Sequence, residues 1–275
     1  MVVLFAEEVG GARRFQSRNF PHAASAFSCF CYSIEQYIYA GGLTAAMSEP
    51  GDSTGPHPAA SQTQLPQYTL GEEIANSVTH GIGALLGIAA LVLLIVFAAI
   101  RGGGAIHIIA AIIYGLSIIL EYLASTLYHA IHAPRAKRVL RTIDHSCIYL
   151  FIAGSYTPFL LITLADAGGI PMFVVIWLLA LAGIGFELIG RQRQPRWVTI
   201  TIYLIMGWLV VFRLPQLVAA LEPMALILLA VGGICYTVGT VFYLMKKIRY
   251  MHSVWHLWVL AGSVFQFMAV ILFVI

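Results

Sequence analysis

The stretch "ALLGIAALVLLIVFAAI" (residues 84–100) runs without a charged or polar side chain and stops at Arg101. A membrane β-strand would alternate outward apolar and inward polar residues over about ten positions, and no such alternation is present. An apolar helix satisfies its own backbone N–H and C=O groups, as lipid requires. With the ten residues before it, the run reaches the roughly 20 residues that cross a bilayer.

Reading outward, the same pattern recurs. Apolar runs cover approximately 74–100, 105–131, 143–164, 169–189, 197–217, 223–245 and 252–275, joined by short polar loops. The chain of 275 residues is 60% hydrophobic and only 10% charged, far from the usual globular balance of about half apolar and a quarter charged. The expectation is an all-α membrane protein, a bundle of seven transmembrane helices. The net charge of +3 matters less than where the cations fall. Arg135, Lys137, Arg138 and Arg141 follow the second run; Arg191, Arg193 and Arg196 follow the fourth; Lys246, Lys247 and Arg249 follow the sixth. These loops share one side, and the opposite loops hold only Arg101, Asp166 and Glu222, with Arg213 near the outer end of run five. Basic loops stay in the cytoplasm, so the N-terminus is expected inside, the C-terminus outside, and the chain in the cell inner (plasma) membrane. Membrane lipids are its expected partners, and no nucleic-acid partner is expected.

Residues 1–70 read differently. "FPHAASAFSCFCYSIEQYIYAGGLTAA" (20–46) is broken by Glu35 and Gln36 and lacks both the length of a span and the compact core of a secretory signal. "MSEPGDSTGPHPAASQTQLPQ" (47–67) is rich in Pro, Ser, Gly and Gln, a composition expected to be disordered. Residues 1–46 are expected to be a gene-call extension, with Met47 the natural start. The membrane domain is then 71–275. Cys29, Cys31, Cys147 and Cys235 show no metal or disulfide pattern and are expected to behave as small apolar residues.

Ionisable residues inside spans are costly and mark function. Run two ends in "LASTLYHAIH" (123–132), run three begins with "RTIDHSCIY" (141–149), and run seven begins with "YMHSVWHLW" (250–258). This brings His129, Asp144, His252 and His256 to one membrane depth. His252 and His256, at i and i+4, share a helix face and can both address one ion. The spacing matches the histidines of a metalloprotease H-E-x-x-H, but Ser253, Val254 and Trp255 lie between them and supply no carboxylate. His129 is the natural third ligand of a zinc ion, and Asp144 the carboxylate that would hold a water beside it. The alternative is that these histidines only mark span ends as amphipathic side chains.

Ser125, one turn before His129, either steadies that chemistry or bonds its own helix carbonyl. Asn76 and His80 share a face in run one and can line the same cavity, while Glu72 and Glu73 read as acids complementing a helix N-terminus. Glu121, one turn deeper than Ser125, must face the bundle interior or be neutral. His132 and His145 read as loop-facing, and Arg213 as reaching the outer headgroups.

"EEIANSVTHGIG" (72–83), "ASTLYH" (124–129), "DHSCIYLFIAGSYTPF" (144–159) and "HSVWH" (252–256), in this order across seven runs, resemble the bacterial hemolysin III family. That family groups with the progestin and adipoQ receptor (PAQR) proteins and, more broadly, with alkaline ceramidases. The resemblance covers about residues 70–275. It implies His129, His252 and His256 as zinc ligands, Asp144 as the residue holding the water at zinc, and Ser125 beside them. In ceramidase relatives such a site cleaves a lipid amide, so the function expected here is hydrolysis of a lipid-like amide or ester. The family name instead implies a pore-forming cytolysin. A lipid-sensing receptor with structural zinc is a further non-enzymatic alternative. Three histidines with no evident fourth ligand lean toward an open, catalytic site.

Overall fold

The computed structural model describes residues 68–190 and 196–275. Nearly all of the expectations for residues 1–70 and for the loop holding Arg191 and Arg193 lie outside the described residues. Among the described residues eight α-helices follow one another: α1 (Leu70–Ile100), α2 (Gly104–Ala130), α3 (Pro134–Pro158), α4 (Gly169–Gly190), α5 (Arg196–Trp208), α6 (Leu214–Ala220), α7 (Pro223–Leu244) and α8 (Met251–Phe273). Among the described residues they supply seven stretches long and apolar enough to cross a membrane, α5 and α6 together forming the fifth. The chain is a seven-helix, multi-pass membrane protein. α1 packs on α2, α2 on α3, α3 on α4 and α7 on α8, and α8 returns against α1.

Two spans depart from uniform helix. The third was expected from about residue 143, yet α3 begins at Pro134, followed by a single π-helical turn at Phe159–Thr163. Proline is well placed in a first helical turn, where its missing N–H is not needed. The basic segment expected as a loop is therefore two turns of helix, and it buries Lys137 and Arg141. The fifth span breaks at a short 3-10 segment, Leu209–Arg213. Pro215 explains this, because a continuous helix would leave the Val211 carbonyl without a donor and in steric conflict with the ring. Tyr156 of α3 serves the break: its hydroxyl lies 2.6 Å from the Gly207 carbonyl oxygen and 3.0 Å from that of Met206, and accepts from Val210 N–H at 3.0 Å.

Where helices meet closely, small residues face rings. Gly83 of α1 lies against Tyr122, and Gly262 of α8 against Tyr236, the packing expected when close van der Waals contact drives helix association. Ser263 of α8 then joins three helices, pairing with Tyr122 Oη at 2.6 Å and Tyr236 Oη at 3.1 Å. Cys147 and Cys235 are free and buried, as small apolar residues would be.

Candidate metal centre

Four helix ends meet at one end of the bundle: the starts of α1, α3 and α8 and the end of α2. The start of α1 is fixed by a capping box in which Thr69 and Glu72 exchange hydrogen bonds. Glu72 Oε1 also accepts from the backbone N–H of Tyr250 at 3.0 Å. Tyr250 is the residue before α8 and has φ of 63°, a left-handed conformation that non-glycine residues adopt at a cost. The Glu72 carboxylate thus pins the turn that delivers His252 and His256.

His129, His252 and His256 come together here, with one ring nitrogen from each within 4.8 Å of the others, close enough to hold one metal ion. His129 and His256 are almost fully buried. Their outward nitrogens are already engaged. His129 Nδ1 donates to Glu73 Oε2 at 2.7 Å, which leaves Nε2 buried without a partner. His256 Nδ1 donates to the Asn76 carbonyl at 3.2 Å, leaving its Nε2 lone pair available. A ligating histidine commonly donates its other N–H to a carboxylate or carbonyl, which fixes the tautomer and makes the free nitrogen more basic. The donor set therefore fits a divalent cation such as zinc, which accepts imidazole nitrogens.

Glu73 does more than start a helix. Its Oε1 accepts from Lys137 Nζ at 2.6 Å while Oε2 holds His129, making a buried Lys137–Glu73–His129 chain across α3, α1 and α2. Asn76 accepts from Ser253 Oγ at 2.5 Å and so ties α1 to α8 beside the histidines. Glu73, Asn76 and His80 recur at intervals of three and four, a one-sided helical stripe that in the sequence alone could have marked Glu73 as facing inward. His80 stacks on His256 with ring centroids 3.5 Å apart, and neither of its ring nitrogens has a partner.

Beside the histidines lies a cavity of about 30 Å³, lined by His80, Glu121, Ser125, Asp144, His252 and His256 among others, about the volume of one water in the liquid. Asp144 is buried and lines this cavity together with Ser125. A second cavity of about 510 Å³ extends between α3, α5, α6, α7 and α8, lined mostly by apolar side chains such as Phe151, Leu160, Leu204 and Leu229. Both cavities are bordered by Glu121, His145, Ile148, Tyr243 and Trp255. His145 is accordingly no loop residue: it stands inside α3, with Nδ1 3.7 Å from Glu187 Oε2 of α4. Arg213, expected to face headgroups, borders the larger cavity.

A profile of haemolysin-III related proteins matches residues 68–267. The chain belongs to the haemolysin-III-related family. It is 47% identical over 206 residues to a hemolysin-3 homolog of Bacillus subtilis (strain 168), covering 75% of this chain and 96% of that protein. It is 44% identical over 213 residues to hemolysin-3 of Bacillus cereus, covering 78% and 96% respectively. A human protein, monocyte to macrophage differentiation factor, is 30% identical over 175 residues, or 59% of this chain and 69% of that protein. The site-bearing helices of this haemolysin-III relative all lie wholly or mostly within the matched segment.

Proposed function

We propose that this protein is a zinc-dependent hydrolase acting on a lipid-like amide or ester in the plasma membrane, with its histidine end toward the cytoplasm. The observation that carries the reading is adjacency: His252 and His256 of the three-histidine cluster and the buried Asp144 carboxylate border a small cavity, and that cavity shares five wall residues with an apolar cavity of about 510 Å³. The larger volume suits an alkyl chain, since drug-sized apolar ligands occupy cavities of about 300–1,000 Å³. Exposed Arg135, Arg138, Lys246, Lys247 and Arg249 at the histidine end support the orientation.

Zinc would be held by His129, His252 and His256; when bound it supplies a Lewis acid that polarises a carbonyl and makes a neighbouring water more acidic. Asp144 takes the proton of a water held in the small cavity as that water adds to the acyl carbon. Ser125, which shares that cavity's wall with Asp144, steadies the water and the carboxylate. Glu73 and the Asn76 carbonyl hold the imidazoles in the tautomers that face the cluster. The apolar cavity holds the chain and excludes bulk water.

The names of the bacterial relatives favour a second reading, a pore-forming cytolysin. One experiment separates the two. Purified protein in liposomes is given long-chain acyl amides and esters while leakage of an enclosed dye is followed. The hydrolase reading expects acyl release that Asp144→Asn abolishes with zinc retained, and dye retention by both proteins. Dye leakage without acyl release would establish the pore instead.

A further inference from the structure

Hydrolysis of an acyl bond needs two proton transfers, and Asp144 accounts for one of them. The second delivers a proton to the departing nitrogen or oxygen. The group that does so must stand where the bond breaks, between the water-sized cavity and the apolar one. Neither Asp144 nor Ser125 borders the larger cavity; Glu121 borders both.

Glu121 lies one helical turn before Ser125 on α2 and is 4% exposed. Its Oε2 is buried without a hydrogen-bond partner, and Asp144, another carboxyl, lines the same small cavity. Two carboxylates sharing a dry site cannot both be ionised without large cost, and enzymes use such pairs as an acid and a base. Arg141 stands one turn before Asp144 on α3 in the wall of the same small cavity, a cation that favours the Asp144 anion. Glu121 Oε2 has no hydrogen-bond donor among the described residues. A carboxyl so placed is stable as the neutral acid.

We propose that Glu121 is the proton donor to the leaving group, completing an Asp144 and Glu121 base and acid pair. The inference rests on the hydrolase reading above. In the step, water loses one proton to Asp144 and its oxygen bonds to the acyl carbon. The bond from that carbon to the amine nitrogen or alkoxy oxygen then breaks with its electron pair, and this atom takes the proton of Glu121. Proton transfer from Asp144 to Glu121 restores both groups. The products are a carboxylic acid and an amine or alcohol, so the sum is the addition of one water.

His145 also borders both cavities, but its Nδ1 faces Glu187, which makes it the control. The test uses the full-length protein with two esters of one long-chain acid. A p-nitrophenyl ester releases an anion that departs without a proton, and an alkyl ester does not. Glu121→Gln should lower alkyl-ester turnover about 100-fold or more, change nitrophenyl-ester turnover only a few-fold, and leave bound zinc unchanged. Infrared difference spectra between H₂O and D₂O should show a protonated-carboxyl stretch in the unaltered protein and in Asp144→Asn that Glu121→Gln lacks. Equal losses on both esters, selective loss in His145→Gln instead, or absence of that band would overturn the assignment of Glu121. If the unaltered protein cleaves neither ester, the hydrolase reading fails and this inference with it.

Discussion

The two halves of the bundle are built on opposite terms. The first, second, third and seventh spans bury 33%, 44%, 56% and 39% of their most apolar windows inside the protein, against 22%, 17% and 22% for the fourth, fifth and sixth. The first group carries every histidine of the cluster and the buried polar links that surround it, from Lys137–Glu73–His129 to Ser253–Asn76. The second group supplies much of the wall around the 510 Å³ cavity and contains the broken span. Convergent ligands need fixed backbones, and a chain-binding volume needs side chains that do not fill it. On the proposed function, one bundle meets both demands by dividing them between its helices.

Substitutions can break or sharpen this contrast, and the largest effect belongs to the polar half. Glu73→Ala strands the buried Lys137 ammonium and frees His129 Nδ1, so unfolding in detergent should show a loss of about 3–5 kcal/mol. Metal affinity should fall about 10–100-fold. Adding Lys137→Met should recover most of the stability and none of the affinity. Glycines test packing next. A Cβ at Gly154 would press on Ser117 of α2, whereas one at Gly233, in the cavity wall, meets nothing within 4 Å. Gly154→Ala should therefore cost about 1–3 kcal/mol by overpacking. Tyr156→Phe, which removes the hydroxyl serving the broken span, should cost about 1–2 kcal/mol in the same measurement. The smallest change is expected at Gly233→Ala, near neutral or stabilising by about 0.5 kcal/mol through helix propensity. Equal responses at Gly154 and Gly233 would remove the contrast between the halves.

How much the sequence disclosed follows the same division. Seven spans were legible because apolar length is a local property, and runs such as 84–100 admit no other reading. His129, Asp144, His252 and His256 were legible as a group because alternating topology puts three chain segments at one depth. The start of α3 was not, because cations are read as solvent-facing and Lys137 becomes buried only through a partner sixty-four residues away. Glu73 was misread for the same reason: its first-turn position explains an acid there without the His129 and Lys137 contacts. His145, two residues into a span expected from about residue 143, was read as facing the loop, but the helix begins at Pro134 and encloses it. The apolar cavity has no sequence signal at all. Its wall includes residues on both sides of the break in the fifth span, among them Val211, Leu214 and Leu217.

The most direct test of the account is elemental analysis of the purified full-length protein beside His252→Ala and Asp144→Asn. Zinc near one per chain is expected in the unaltered protein, most of it retained in Asp144→Asn, and lost in His252→Ala while the protein remains folded. Zinc bound equally by all three, or by none, would contradict it.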